Sequence, residues 1–198
     1  MRYVFGLLTC LIFCAAQAQQ PADPQADLLQ TYAKQMDSVQ TLTSHFTEEK
    51  HLSLLSQPLQ SGGDFSFDKN ARRLRWQYTE PFANGFLIEA DKVYRLQQGE
   101  KKPVRQALER MFMAEMLAWL TLDFDALQKN YNITLNGPEI TFTPRNAGHK
   151  IVREITVWLD EKDTRLVTQV RLMQPSGDFI LWKFNRTQIN PPCEKECP

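Results

Sequence analysis

Met111-Phe112-Met113-Ala114-Glu115-Met116-Leu117-Ala118-Trp119-Leu120-Thr121-Leu122 carries only two polar side chains, Glu115 and Thr121, so a helix drawn through it is apolar on every side. Such a helix has to be buried on more than one side. It forms the second half of a helical stretch from about Pro103 to Lys129, and that stretch interrupts a chain that otherwise reads with a period of two from Thr41 onward.

The alternation is plain in Phe65 and Phe67, in Leu74, Trp76 and Tyr78, in Ile140 and Phe142, and in Ile155, Val157 and Leu159, each strand having one apolar and one polar face. Leu166 to Met173 and Phe179 to Phe184 follow less strictly, with Ile180, Trp182 and Phe184 on one side and Phe179 and Leu181 on the other. Breaks are expected at Ser61-Gly62-Gly63, Asp68-Lys69-Asn70, Pro81 and Ala90-Asp91-Lys92. Upstream, Asp23-Pro24 reads as a helix cap followed by proline at the first helical position, and Leu28, Leu29, Tyr32, Met36 and Val39 then share one helical face. The expected fold is mainly β with helices (α+β). About ten antiparallel strands curve strongly, and the opening and middle helices cover the concave face. Inside lies either a packed core or a cavity.

The first eighteen residues read as a secretory signal peptide: Arg2, an apolar run from Val4 to Ala16, and Ala16-Gln17-Ala18 before a cut after Ala18. Bulky Phe13 before Cys14 spoils the rival lipoprotein signal. The expected mature chain begins at Gln19 in the periplasm, and no later apolar run reaches the ~20 residues of a membrane helix. The chain divides into residues 1–18, one domain over 19–190 and a Pro/Cys tail over 191–198. In that tail Cys193 and Cys197 are expected to pair, closing so short a loop that the core gains little. Lysine plus arginine equal aspartate plus glutamate at 23 each, so no field of one sign points to nucleic acid.

No catalytic constellation stands out. There is no Gly-x-Ser-x-Gly elbow and no phosphate loop, and His45, His51 and His149 lack metal-ligand spacing. No cofactor is expected. A hydrolase would need Ser44 or Ser66 beside His45 or His51 with a carboxylate behind. Met111, Phe112, Met113, Met116, Leu117, Trp119 and Leu120 are soft, adaptable side chains that suit either a lid over acyl chains or a permanent plug. Lys69, Arg72, Arg73 and Arg75 are either a solvated turn or a contact for acidic groups of a partner.

In order along the chain, the helix ending at Val39, Ser44-His45-Phe46-Thr47-Glu48-Glu49-Lys50, Ser61-Gly62-Gly63-Asp64-Phe65-Ser66-Phe67, Leu74-Arg75-Trp76-Gln77-Tyr78-x-x-Pro81 and Leu87-Ile88-Glu89-Ala90-Asp91-Lys92-Val93-Tyr94 resemble the LolA-type periplasmic carriers of lipoproteins. The resemblance implies an unclosed β-barrel with a helical lid over a hydrophobic cavity for acyl chains. It assigns Met36, Phe65, Phe67, Leu74, Trp76, Tyr78, Met111, Phe112, Met113, Met116, Leu117 and Leu120 to cavity and lid. Lys69, Arg72 and Arg73 stand where the family has an Arg-Pro turn whose arginine tethers the lid, and they are the candidates for tether or partner contact. Leu52-Ser53-Leu54-Leu55-Ser56-Gln57-Pro58-Leu59 looks like a divergent branch that accompanies lipid or pigment synthesis. The implied role is a monomeric, non-enzymatic carrier of lipidated protein or acyl lipid, with an inner-membrane donor and an outer-membrane acceptor. The alternative is an envelope lipid-sensing module that regulates without transporting.

Overall fold

A computed structural model describes residues 24–90, 92–146 and 151–192. The signal peptide, the Gln19 terminus and the Cys193–Cys197 pairing lie outside the described residues.

Helix α1 (Pro24–Asp37) leads into β1 (Thr41–His51), β2 (Leu59–Asp68), β3 (Arg73–Glu80), β4 (Asn84–Glu89), β5 (Lys92–Gln97) and β6 (Glu100–Pro103). Helices α2 (Ala107–Leu120) and α3 (Phe124–Asn130) follow, then β7 (Tyr131–Asn136), β8 (Glu139–Pro144), β9 (Glu154–Leu159), β10 (Val167–Met173) and β11 (Phe179–Ile189). The strands form one antiparallel sheet in the order β6-β5-β4-β3-β2-β1-β11-β10-β9-β8-β7. First and last strands meet at its centre, where Phe46 faces Phe184 and Glu48 faces Trp182. Strands β6 and β7 are the two edges, so the sheet is an unclosed barrel, and the segment that links those edges is α2 plus α3.

The period-two pattern selects the face. In β1, Leu42, Ser44, Phe46 and Glu48 are buried. Leu74 and Trp76 of β3, Ile155 and Val157 of β9, Val170 and Leu172 of β10 and Trp182 of β11 continue the same surface. Full burial of each such side chain contributes roughly 1.5–3 kcal/mol. From α1, Tyr32 and Met36 are buried against this core. The Tyr32 hydroxyl donates to the Gly137 carbonyl at 3.4 Å, and Thr164 Oγ1 bonds Gln35 Oε1.

Three details depart from the sequence reading. The sheet has eleven strands rather than about ten, because Glu100-Lys101-Lys102-Pro103 pairs with β5 although it has no apolar alternation. Gly62 and Gly63 are not a break but lie inside β2, at a register shift against β3. A Cβ on Gly63 would stand 1.9 Å from the Gln77 carbonyl oxygen, so only glycine lets the strands approach there. The middle helical stretch is split, since Leu122 is left-handed (φ 50) and Asp123 caps α3 by accepting from the Ala126 amide at 3.0 Å.

Candidate functional site

Helix α2 has space on two sides. Toward the sheet, Met116, Trp119 and Leu120 meet Trp76, Val170, Trp182 and Phe184 around a void of only about 10 Å³. Away from it, Ala114, Leu117, Ala118 and Thr121 form one wall of a cleft of about 540 Å³, faced by Met36 of α1 and Phe67 of β2. That volume lies in the range of ligand pockets. The apolar girdle of α2 thus has a use on both sides: one half closes the barrel interior and the other lines an open cleft.

Among the candidate residues, Leu74 and Trp76 are fully buried, and Phe65, Met36, Met113, Met116 and Leu120 are buried. Trp76 packs against Phe46 with the rings tilted by 31° and their centroids 4.0 Å apart, and stacks against Phe65 at 5.6 Å. Phe67, Tyr78, Phe112 and Leu117 are half-buried against the same core. Met111 stands apart, 60% exposed. Of the candidates, Trp76, Met116 and Leu120 line the closed void and Met36, Phe67 and Leu117 the cleft, while Phe65, Leu74, Tyr78, Met111, Phe112 and Met113 line neither.

Sequence reasoning passed over Glu48, which is 1% exposed at the centre of the concave face. The Tyr78 hydroxyl and the Trp182 indole N–H both donate to its Oε2, at 2.7 and 2.6 Å. Burial first, then the Glu48 charge, pushes the Tyr78 phenol well above its ordinary value. The signal was present, because Glu48 occupies the inward phase set by Leu42 and Phe46. A second buried phenol, Tyr131, donates to Glu115 of α2 at 2.9 Å and is likewise pushed up by burial and that carboxylate.

The basic residues near the β2–β3 turn divide their contacts. Lys69 Nζ reaches Asp37 Oδ1 of α1 at 3.4 Å, and Arg73 pairs with Glu89 at 3.4 Å. Lys69 and Arg72 line the cleft. Among the described residues, an ion pair that runs from the sheet to α2 is Arg95–Glu109, with the Arg95 guanidinium 5.7 Å from the Phe86 ring centre.

Of the serines considered above, Ser44 does not pair with His45, and Ser66 lines a surface cleft together with His45 and Asp64. Ser44 and His45 are neighbours in one strand and point to opposite faces. Ser44 Oγ lies 2.7 Å from Thr187 Oγ1, His45 Nδ1 lies 3.0 Å from Asp64, and His51 lies 3.2 Å from Glu49 while stacking on Phe179. Among the described residues no cluster of three His, Cys, Asp or Glu side chains could hold a metal ion.

An unclosed barrel with a helix-covered concave face is the architecture that the ordered motifs predicted, and residues 37–197 match the family described as Outer membrane lipoprotein carrier protein LolA. The chain belongs to the LolA family. No curated protein matches it in sequence. Among solved structures it is similar to MucB, with a TM-score of 0.53 and 16% identity over 89% of this chain and 62% of that one. It is also similar to a structure of the Pseudomonas aeruginosa MucA/MucB complex, with a TM-score of 0.52 and 15% identity over 86% of this chain and 59% of that one. A third is the Mycobacterium tuberculosis lipoprotein LppX, with a TM-score of 0.50 and 13% identity over 88% of this chain and all of that one. At these identities the likeness is one of fold. The chain spans about six tenths of the MucB chains it matches. Among the described residues no helix is long and apolar enough to cross a membrane.

Proposed function

We propose that this LolA-family protein is a non-enzymatic periplasmic carrier, secreted by cleavage after Ala18, that takes acyl chains of a lipidated protein or a related lipid between its sheet and α2. It collects them as a monomer from an inner-membrane donor and delivers them toward an outer-membrane acceptor. The observation that carries this reading is the position of α2, apolar on both sides between a closed void and an open cleft. A helix that only plugged a core would need no apolar surface on the cleft. Displacing it exposes Trp76, Trp182 and Phe184 to a chain that arrives past Met36, Phe67 and Leu117. Each buried CH₂ contributes about 0.8 kcal/mol, so several chains are held firmly while transfer stays reversible.

The second reading, a sensing module that regulates a partner, draws support from the likeness to MucB, which the Pseudomonas structure pairs with MucA. One assay separates the two. Vesicles loaded with a fluorescent diacylated lipopeptide are mixed with the protein and sedimented. A carrier brings the label into the supernatant in a defined complex and releases it to fresh acceptor vesicles, whereas label that binds the protein without onward release favours the sensor.

A further inference from the structure

The convex face of the sheet carries a further cleft, of about 460 Å³, across the central strands β11, β1, β2 and β3. Thr43, His45, Asp64, Ser66, Arg75 and Gln77 line it, because they alternate along their strands with core residues such as Phe46, Phe65 and Trp76 and so face the other way. Strand pairing sets them in two rows. Gln188, Thr43, Ser66 and Arg75 face one another strand by strand, and His45, Asp64 and Gln77 do the same one step further along.

Arg186 reaches this cleft by a device that simple alternation does not supply. Residues 186 and 187 both stand opposite Ser44, forming a β-bulge, and Arg186 has φ 53, a left-handed conformation that at such a bulge usually falls to glycine. Buried Ser44 holds the bulge from beneath, its hydroxyl lying 3.0 Å from the Asn185 carbonyl oxygen and 2.7 Å from Thr187 Oγ1, one on each side of Arg186. A strained arginine is thereby fixed at the cleft. Arg73, Arg95, Arg165 and Arg171 each pair with a carboxylate, whereas among the described residues Arg75 and Arg186 make no ion pair. Asp64, the carboxylate in the cleft, is taken on one oxygen by His45 Nδ1 at 3.0 Å.

We infer that this cleft is a binding site, separate from the cargo space, for a compact phosphorylated sugar or polyol. Arg75 and Arg186 close on the phosphate from the two outer strands, and the Ser66 and Thr43 hydroxyls between them donate to its oxygens. The second row accepts from the ligand's own hydroxyls, through the remaining oxygen of Asp64 and the amide oxygen of Gln77. A volume of about 460 Å³ exceeds what phosphate alone fills and suits one small ligand. Two unpaired guanidiniums are too few for an anionic membrane, whose recognition takes clusters of roughly four to eight lysines and arginines. The site stands whether or not the chain is a carrier.

Isothermal titration calorimetry of the purified protein with glucose 6-phosphate, glycerol 3-phosphate and glucose tests it, in wild type and in Arg186→Gly. Glycine suits φ 53, so this variant removes the guanidinium without opposing the bulge, and its thermal midpoint is expected to change little. Wild type is expected to bind at least one of the two phosphates saturably at a single site, and glucose about tenfold or more weakly. Arg186→Gly is expected to weaken phosphate binding by about tenfold, the scale of one charge-assisted contact. Absence of saturable binding of both phosphates, glucose bound as tightly as they are, or an affinity unchanged in Arg186→Gly each overturns the inference. Sedimentation with phosphatidylglycerol vesicles separates the other occupant: vesicle binding that Arg186→Gly abolishes, without binding of the soluble phosphates, assigns the cleft to a membrane surface and overturns it too. Should Arg186→Gly fail to fold, Arg75→Gln decides, with the same weakening expected and an unchanged affinity contradicting the site.

Discussion

Tyr78 and Glu48 form the most consequential pair at the residue scale, because a phenol and a carboxylate face each other on a surface otherwise made of Phe46, Trp76 and Trp182. Burial and the neighbouring charge raise the Tyr78 phenol above its unfolded value. The stabilisation tied to its neutral form is therefore fully present below about pH 10 and is lost as pH rises beyond that. Alkaline titration by ultraviolet absorbance, wild type against Tyr78→Phe, is expected to show the Tyr78 phenolate emerging only together with loss of native circular dichroism. A Tyr78 phenolate that ionises with an ordinary midpoint in the folded protein would contradict this environment. The pair was half legible in the sequence. Tyr78 stood out in the Leu74-Trp76-Tyr78 alternation, while Glu48 was hidden in Thr47-Glu48-Glu49-Lys50, where three consecutive charges suggest a solvated strand and only the phase inherited from Leu42 and Phe46 betrays the inward one.

The element on which the proposed carrier role turns is α2, held to the sheet by polar contacts that include Arg95–Glu109 from β5 and the Tyr131 hydroxyl on Glu115 from β7. The Arg95 ion pair is half-exposed, so its removal costs little global stability, about 1 kcal/mol or less. Its local effect is larger. Arg95→Ala is expected to leave the thermal midpoint nearly unchanged, yet to increase hydrogen exchange of the α2 amides selectively. Unaltered α2 protection would show that Arg95 is not a tether. The sequence marked α2 by its apolar girdle and suggested Lys69, Arg72 and Arg73 as tether by position in the family. It could not reveal Arg95–Glu109, because that pair depends on where the helix lands on β5, a long-range fact without local pattern. The left-handed Leu122 that ends the helical stretch early was invisible for a similar reason: nothing but the Asp123 cap signals it.

At the scale of the molecule, an eleven-stranded sheet leaves its two edges apart and sets α2 and α3 across the gap. Alternation made the curved sheet and its concave face readable in advance. Strand β6, exposed throughout and charged apart from Pro103, and the glycines embedded in β2 were not, since one lacks a hydrophobic phase and the others imitate a turn. The void beneath α2 is nearly closed, at about 10 Å³, while the cleft beside it measures about 540 Å³, so the proposed uptake of a chain beneath α2 would require the helix to move off the sheet. A charge placed in that contact costs several kcal/mol when unpaired, which makes Met116→Asp the discriminating variant. The decisive measurement is mass spectrometry of lipids extracted from wild-type protein and from Met116→Asp, both purified without detergent from the native periplasm. Wild type is expected to carry an acylated molecule in near-stoichiometric amount and the variant, folded by circular dichroism, almost none. Equal acyl content in the two, or none above background in wild type, would contradict the carrier account.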